Sequence, residues 1–501
     1  MKRTLIVLLL ANLILSACAP VSAPTPTTAP SATPLPTATT TPISTATPTS
    51  TPTPTPTATP TPIPTIQVGN LSVPDPRITN PELFNLTKPD APIPQFVNAM
   101  KMAGIEITAE QVAQGITYKA LKDKDGNPFV VACYNLDPSL FPEQYRDLAG
   151  PIPLMIAERG ENVEWRWSRA TPRKLMDISG KMIIGVFANP QYDRPESIFS
   201  DNFNALQIGA FSWDWVRRKG KDINLADFSL ADKWVNFAIK NNMSVMNGNP
   251  LVYHHGLPDW LTKGNFSKDE LTKIMTEHIE TNVRRYVGKP ITWQVLNEAV
   301  WYYQGHSGYS ETIWYNTIGK EYVDIAFRSA READPTARLI YNDFTNNVAG
   351  KGGEISGPKA DVVFNFVEKL KKKGLVDGVG IQLHIFDPET APSEEEIRNQ
   401  IERYKKIGVD VYFTEVTFNI KPLINRGIPL REALIIQADF YRLLAKACAT
   451  TEGCKAIYIG GLDDKDLSWP EPNTQALLFS ERTPKLAFFG LTRGMMQSLI
   501  E

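Results

Sequence analysis

The sequence is poor in the residues that metal sites use, and it carries no excess of positive charge. Its 501 residues include four cysteines and five histidines, too few for a protein built around several metal ions. Lys and Arg together number 52 against 54 Asp and Glu, which gives a net charge of −2. Nucleic-acid binding usually needs a basic surface. We therefore expect no nucleic-acid partner, no metal site and no cofactor.

Proline is the one residue type in large excess, and it is concentrated near the N-terminus. Of 40 prolines, 14 lie between Ala19 and Thr65, together with 18 threonines and no charged residue. Such a segment has too little apolar surface to bury a core, and its prolines favour polyproline II. Residues 18–65 are therefore predicted to be a disordered tether.

The segment before the tether has the pattern of an export signal. Lys2 and Arg3 precede an apolar run over residues 5–15, which is short for a membrane span but typical of a signal peptide. The run ends in Leu-Ser-Ala-Cys at Cys18, which resembles a bacterial lipobox. Residues 1–17 are predicted to be a lipoprotein signal peptide, with Cys18 lipidated and the protein held at the extracellular face of the membrane. The alternative is an ordinary secretory signal and a secreted protein.

The other three cysteines differ in their surroundings. Five residues lie between Cys448 and Cys454, the last of them Gly453, and export permits disulfides, so we expect this pair to be bridged. Cys133 lies in the apolar run FVVACY and is expected to be a buried free thiol.

Short apolar runs alternate with amphipathic segments over residues 174–501. The apolar runs, each a predicted strand, cover residues 182–188, 205–210, 243–251, 291–299, 337–344, 378–385, 410–418 and 456–462. Runs that are apolar throughout indicate parallel strands buried on both faces. Eight of them alternating with helices predict an α/β fold, a (β/α)8 TIM barrel.

Residues 66–173 do not follow this alternation. Residues 128–134 and 152–167 look like strands, and DKDGN at 123–127 is typical of a hairpin turn. We predict a small α+β extension, to which the sequence assigns no role.

Polar residues cluster at the predicted carboxyl ends of the strands, where barrel enzymes carry their chemistry. They are Asn249, His254, Asn297, Glu298, Asn342, Asp343, Gln382, His384, Glu415 and Asp463.

Two glutamates in this cluster suggest glycoside hydrolysis. Glu298 and Glu415 each end an apolar run with no Lys or Arg close by in sequence, which argues against a structural ion pair. Gln382 and His384 lie two apart on one strand and are expected to donate to Glu415. Glycoside hydrolysis needs one protonated and one ionised carboxyl group. We expect the charge of Glu415 to raise the pKa of Glu298.

Several segments, in their order along the chain, resemble the landmarks of glycoside hydrolase family 10. They are LVYHHGLPDW (251–260), WQVLNEA (293–299), YND (341–343), IQLH (381–384), TEV (414–416) and SW (468–469). That family contains the retaining endo-β-1,4-xylanases, so the resemblance implies a xylanase-like barrel.

The resemblance also implies roles for individual residues. Glu298 is implied as the acid/base and Glu415 as the nucleophile. Asn297 is implied to bind a sugar hydroxyl. The other implied substrate-binding residues are Asn249, Tyr253, His254, Asn342, Gln382, His384 and Trp469.

The chain departs from the family pattern on the glycone side. Residues 209–212 read Gly-Ala-Phe-Ser where the family carries polar residues, Asn249 replaces a His, and Tyr253 replaces a Trp. Four tryptophans follow strands two and four and could line a sugar cleft, namely Trp213, Trp215, Trp301 and Trp314. The departures put xylan in doubt as the sole substrate.

The sequence therefore predicts a retaining endo-1,4-β-xylanase that acts on xylan or a related β-glycan and meets the membrane only through a lipid anchor. One alternative is a retaining glycosidase of other specificity on the same barrel. The other is a non-catalytic, glycan-binding surface lipoprotein.

Overall fold

The computed structural model describes residues 63–160, 164–191, 193–345, 355–466 and 475–500. The predicted signal peptide, nearly all of the predicted tether, Cys18 and Trp469 lie outside these ranges. Among the helices of the described residues, none is long and apolar enough to cross a membrane.

The first part of the described chain is an α+β unit, as the sequence predicts. An antiparallel hairpin and three helices precede a four-stranded antiparallel sheet whose strands pair in chain order. The elements are β1 (Thr65–Val68), β2 (Leu71–Pro74), α1 (Pro76–Thr79), α2 (Pro92–Met102), α3 (Ala109–Gln114), β3 (Ile116–Lys122), β4 (Pro128–Leu136), β5 (Gly150–Arg159) and β6 (Trp165–Arg169). The segment at 123–127 is the turn between β3 and β4, with Gly126 at φ +85°.

The predicted (β/α)8 barrel is confirmed. Helix α4 (Pro172–Ser179) leads into eight parallel strands, which close into a barrel. In chain order the elements that follow are β7 (Ile183–Ala188), α5 (Ser197–Asn202), β8 (Ala205–Ile208), α6 (Trp213–Val216), α7 (Ser229–Lys240), β9 (Ser244–Asn247), α8 (Asp259–Thr262), α9 (Lys268–Arg285), β10 (Ile291–Asn297), β11 (Val300–Tyr303), β12 (His306–Tyr309), α10 (Ile313–Ile318), α11 (Tyr322–Ala333), β13 (Arg338–Phe344), α12 (Pro358–Lys372), β14 (Gly378–Ile385), α13 (Glu394–Lys406), β15 (Asp410–Phe418), α14 (Lys421–Asn425), α15 (Leu430–Thr450), β16 (Cys454–Ile459), β17 (Phe479–Ser480), β18 (Thr483–Pro484) and α16 (Leu486–Ile500).

Local sequence sets several helix boundaries. Ser267 with Glu270, and Ser393 with Glu396, form capping boxes that satisfy the first amides of α9 and α13. Residues 313–333 form two helices rather than one. The chain breaks at Gly319, whose φ of +94° is incompatible with a helix, so α10 and α11 are separate.

The barrel encloses a small core of its own, distinct from the large core between strands and helices. Its members come from five of the eight strands and are buried. They are Ala205, Met246, Ile340, Tyr412, Ala456 and Tyr458. Small and large side chains together fill the interior, as in other closed barrels, so the chemistry is confined to the strand ends.

The disulfide joins the end of α15 to the start of β16. Cys448 and Cys454 form a disulfide with their Cα atoms 5.2 Å apart. Cys133 in β4 is a buried free thiol, and burial raises its pKa to about 12.

The extension packs on the last two barrel helices. The ring of Phe96 in α2 meets the ring of Phe489 in α16 edge-on, with centroids 5.1 Å apart. Across the same boundary the Nε of Arg493 donates to the carbonyl oxygen of Ala149 at 3.1 Å. Buried residues of the extension and the barrel belong to one continuous hydrophobic cluster, so packing of the extension stabilises the barrel.

We expect Phe96→Ala to lower the free energy of unfolding of the whole protein by about 3–5 kcal/mol, because it removes a fully buried ring from the shared cluster. Urea unfolding followed by tryptophan fluorescence measures this. Ile78→Ala, at a side chain 56% exposed in the same extension, is the matched control and should stay within about 0.5 kcal/mol of wild type. Equal stability of the two variants would contradict the shared core.

Candidate active site

The carboxyl ends of four consecutive barrel strands bring the predicted polar residues together. Asn297 ends β10 and Glu298 follows it, Asn342 lies in β13, Gln382 and His384 in β14, and Glu415 in β15. Strands β10, β13, β14 and β15 are neighbours in the barrel, so their ends form one continuous arc. Hydrogen bonds connect all six side chains.

Both glutamates have a left-handed backbone, which is uncommon outside glycine. Their φ angles are +50° at Glu298 and +57° at Glu415. Each such residue costs about 1–3 kcal/mol and persists where the surrounding structure holds it. At Glu298 the backbone N–H donates to the carbonyl oxygen of Asn342 at 3.0 Å, and the hydroxyl of Ser310 donates to the carbonyl oxygen of Glu298 at 2.7 Å.

At Glu415 the strained residue interrupts a strand. The pairing of β15 with β14 and with β16 shifts register around it. A bulge of this kind turns one side chain away from the direction that the pleat would give it, so Glu415 reaches the barrel mouth.

One oxygen of Glu298 accepts three hydrogen bonds. The donors to Oε1 are the hydroxyl of Tyr253 at 3.0 Å, the amide of Asn297 at 3.0 Å and the amide of Gln382 at 2.9 Å. This leaves Oε2 as the oxygen on which a proton can reside.

Burial is the main cause of the raised pKa of Glu298. The charge of Glu415 adds to the increase, while the hydrogen bonds from Gln382 and Tyr253 oppose it. The charge of Glu415 therefore raises the pKa of Glu298 as expected, but loss of water around the buried carboxyl group contributes more.

Glu415 is held at both oxygens. The amide of Asn342 donates to Oε1 at 3.2 Å, and Nε2 of His384 lies 3.1 Å from Oε2. A carboxylate only accepts, so Nε2 carries the hydrogen. The other ring nitrogen of His384 lies 3.0 Å from the hydroxyl of Thr417, which fixes the ring's orientation.

Gln382 does not donate to Glu415 as expected. It donates to Glu298 at 2.9 Å and, at 3.2 Å, to Oδ1 of Asn297. Gln382 pairs with Thr414 and His384 with Thr417, so the bulge lies in β15 around Glu415, and His384 is the residue of β14 that reaches its carboxylate. The two neighbours on β14 thus serve different carboxyl groups.

Asn342 was expected to contact substrate, but its side chain is 0% exposed. Its amide donates to Asn297 at 2.9 Å and to Glu415, and its Oδ1 accepts from the hydroxyl of Thr414 at 2.8 Å. The side chain passes over Gly380, where an added Cβ would lie 2.1 Å from Oδ1. Asn342 therefore positions other side chains, and Gly380, which a search for polar side chains misses, leaves the space that Asn342 occupies.

The residues after β9, the strand that pairs with β10, adjoin this arc. His254 is half-buried, and burial lowers its pKa to about 4, so it is neutral near pH 7. Its Nδ1 is buried and makes no hydrogen bond within the described residues. Asn249 donates its amide to the carbonyl oxygen of Gly209, so this group already has a protein partner.

A buried network of charged and polar side chains lies next to Glu298. Asp343 accepts from the hydroxyl of Tyr341 and forms an ion pair with Lys359, whose nitrogen lies 3.1 Å from Oδ1. The hydroxyl of Tyr341 in turn accepts from the amide of Ala299 at 3.0 Å. Burial raises the pKa of Asp343 to about 6, against the effect of Lys359. Lys359 was not identified from the sequence, although a lysine within the apolar helix segment PKADVV was a signal.

The tryptophans have different roles. Trp213 and Trp314 are fully buried, and Trp213 stacks on His278 with centroids 3.7 Å apart, so neither lines a sugar cleft. Trp215 is half-buried beneath Arg218. Trp301 is exposed on the hairpin that follows Glu298.

Asp463, at the end of the last strand run, has a structural role. It is fully buried and accepts from the backbone amides of Glu481 and Arg482. These two residues form the turn between β17 and β18 with φ of +51° and +62°. Its carboxylate stabilises that turn.

Comparison with known proteins agrees with this geometry. Endo-1,4-beta-xylanase B of Thermotoga neapolitana is 35% identical over 324 residues, which cover 62% of this chain and 86% of that protein. The crystal structure of native xylanase 10B from Thermotoga maritima matches with a TM-score of 0.57 and 32% identity, covering 66% of this chain and 99% of that one. Xylanase 10B from Thermotoga petrophila RKU-1, in complex with xylobiose, gives a TM-score of 0.58 and 31% identity over 66% and 99% of the two chains.

The match to a known family covers most of the chain. Residues 174–493 fit glycosyl hydrolase family 10, and they include both glutamates, the amide network between them and the barrel strands that carry these residues. This chain belongs to glycosyl hydrolase family 10.

Proposed function

We propose that this protein is a retaining endo-1,4-β-xylanase that hydrolyses β-1,4 bonds in xylan. The observation that carries the proposal is that two neighbouring carboxyl groups differ in their hydrogen-bond donors. Glu298 is buried with three donors on one oxygen, whereas Glu415 receives one donor on each oxygen. Relatives named as endo-1,4-β-xylanases support xylan as the substrate.

In the first step Glu415 attacks the anomeric carbon of the sugar at the cleavage point, and a covalent glycosyl-enzyme forms. Asn342 and His384 fix both oxygens of Glu415, so the attacking oxygen does not need to be oriented during the reaction. Glu298 gives its proton to the departing glycosidic oxygen. A carboxyl group whose pKa is raised by burial is suited to that task.

In the second step Glu298, now a carboxylate, takes a proton from a water molecule that attacks the glycosyl-enzyme. Tyr253, Asn297 and Gln382 all donate to its Oε1 and so stabilise the ionised form at this stage. Two displacements on the same carbon retain the configuration.

A broader range of β-1,4-glycans is the second candidate, and the glycone side favours it. The turn Gly209–Phe211 after β8 is buried, and the amide of Asn249 is occupied by a backbone carbonyl. Fewer polar groups are therefore left to recognise a xylose unit there. Parallel assays on xylan, mixed-linkage glucan and aryl glycosides distinguish the two candidates.

Removing each glutamate separately tests the assigned roles. Glu415→Ala should abolish turnover of xylan and of aryl β-xylobiosides alike, because no covalent intermediate can form. Glu298→Ala should lower kcat on xylan about 10²- to 10⁴-fold and spare aryl substrates with good leaving groups, which need little protonation. Added azide should rescue Glu298→Ala and give a β-glycosyl azide, identified by NMR.

Glu311→Ala, at an exposed carboxylate just after β12, is the control and should retain wild-type rates. If azide instead gives a β-product with Glu415→Ala, the two roles are reversed.

The hydrogen bond from Tyr253 to Glu298 predicts a change in pH dependence. It stabilises the ionised carboxylate, so Tyr253→Phe should raise the pKa of Glu298 further. Activity is lost as pH rises through that pKa, so the alkaline limb of the kcat/KM profile should move to higher pH. Tyr302→Phe, on the hairpin after Glu298, is the control. A limb that stays in place or moves to lower pH would argue against this role for Tyr253.

We further propose that the enzyme is a lipoprotein tethered to the extracellular face of the membrane, on the basis of Leu-Ser-Ala-Cys at 15–18 and the Pro- and Thr-rich segment after it. A segment of 47 residues in polyproline II would reach about 145 Å, far enough to meet an insoluble polymer. Cys18→Ala should move the protein from the membrane to the soluble fraction of the native host. Identical fractionation of mutant and wild type would refute the anchor.

A further inference from the structure

The hairpin of β11 and β12 follows Glu298 directly in the chain. Val300 begins β11 only two residues after Glu298. Ser310, just after β12, donates its hydroxyl to the carbonyl oxygen of Glu298 at 2.7 Å and its amide to that of Ala299 at 2.8 Å. Both ends of the hairpin are therefore fixed to the backbone of the catalytic residue.

The two faces of the hairpin differ in their surroundings. On one face Val300 is paired with Tyr309, whose ring stacks on Tyr315 with centroids 5.3 Å apart and meets Phe366 edge-on. On the other face Trp301 is 39% and Tyr303 67% exposed. The inner face packs on the protein, and the outer face presents aromatic rings to solvent.

The indole of Trp301 is held flat against the hairpin. Its Nε1 donates to the carbonyl oxygen of Tyr309 at 2.9 Å. Gly308 lies opposite Trp301 in the antiparallel register, and a Cβ there would lie 3.1 Å from Nε1 and 3.3 Å from Cε2 and Cζ2. The missing side chain lets one face of the ring rest on the backbone, while the other face stays open.

The next cross-strand pair continues this surface. Tyr303 and His306 are directly opposite each other, and both are exposed. Alternation along a strand places Tyr303 on the same face as Trp301. Trp301, Tyr303 and His306 together form what we term the hairpin platform, which carries no Asp, Glu, Lys or Arg.

We propose that the hairpin platform binds the xylose units of the β-1,4-linked chain on the leaving-group side of the cleaved bond. This rests on the proposed function. Glu298 protonates the oxygen of the leaving group, so the departing part of the polymer lies next to Glu298. Trp301 is three residues further on, at most about 10 Å along the strand. A flat aromatic surface at that distance suits the apolar face of a neutral sugar ring.

Kinetics on substrates of different length test the platform. In Trp301→Ala the ratio of kcat/KM on soluble xylan to kcat/KM on 4-nitrophenyl β-xylobioside should fall about three- to tenfold, because the aryl leaving group is too short to use the platform fully. Gly308→Val, which pushes the ring off the backbone without removing it, should lower the same ratio. Trp301→Phe should restore part of it. Trp165→Ala, in β6 of the extension, is the matched tryptophan control and should leave the ratio unchanged.

Xylohexaose labelled at its reducing end locates the subsite. Loss of the platform should reduce the yield of long labelled fragments relative to short ones. If long unlabelled fragments decline instead, the platform contacts the glycone side and the assignment is overturned. An unchanged ratio in both Trp301→Ala and Gly308→Val overturns the platform itself. The platform is also overturned if the wild-type protein sediments as a dimer and Trp301→Ala as a monomer, because this face would then serve self-association.

Different results would refute the proposed function and the proposed platform. A wild-type protein that hydrolyses neither xylan nor the aryl xylobioside refutes the function and the platform with it. A wild-type protein that hydrolyses both, with variants of unchanged ratio, refutes only the platform.

Discussion

The positions of the carboxyl groups of Glu298 and Glu415 depend on one buried amide. Asn342 donates to Glu415 and to Asn297, and Asn297 donates to Glu298, so a single side chain in β13 links the proposed nucleophile to the proposed acid/base. The hydroxyl of Thr414 donates to Oδ1 of that amide, so the amide nitrogen of Asn342 is the atom that faces Asn297 and Glu415. Because every atom of the link is held by another element of the barrel, a displacement of one strand would change the relation between the two glutamates.

The barrel supplies the free energy that this arrangement costs. Two residues with positive φ and a buried Asp343–Lys359 pair are each unfavourable taken alone. They persist because closed strands and the apolar cluster around them do not allow a local rearrangement. Lys359 also donates to the carbonyl oxygen of Val300, so the buried charge stabilises the backbone that leaves Glu298. The buried pair therefore fixes where the hairpin begins.

The sequence predicts the barrel well because the signal is repeated eight times, and each apolar run marks a strand to within a few residues. It also identifies Glu298 and Glu415, because a carboxylate that ends an apolar run is unusual. It does not assign Gln382 to its correct partner, since the bulge in β15 around Glu415 is a feature of strand pairing that the alternation of residues along one strand does not reveal. It cannot separate buried Trp213 from exposed Trp301, because both follow a strand and only tertiary packing distinguishes them.

Catalysis and substrate choice are carried by different parts of this molecule. The proposed nucleophile Glu415, its two donors and the amide network lie at the ends of barrel strands, whose positions are set by closure of the sheet. The residues in which the chain departs from the family pattern, such as Asn249 and Tyr253, lie in the segment after β9. Trp301 likewise lies in the hairpin after β10. Loops can change length and composition without disturbing the barrel. Tyr253 belongs to both groups, because it lies in a loop and yet donates to Glu298. A substitution there alters the acid/base directly, so adaptation to a new glycan at this position is coupled to the pH at which the enzyme works.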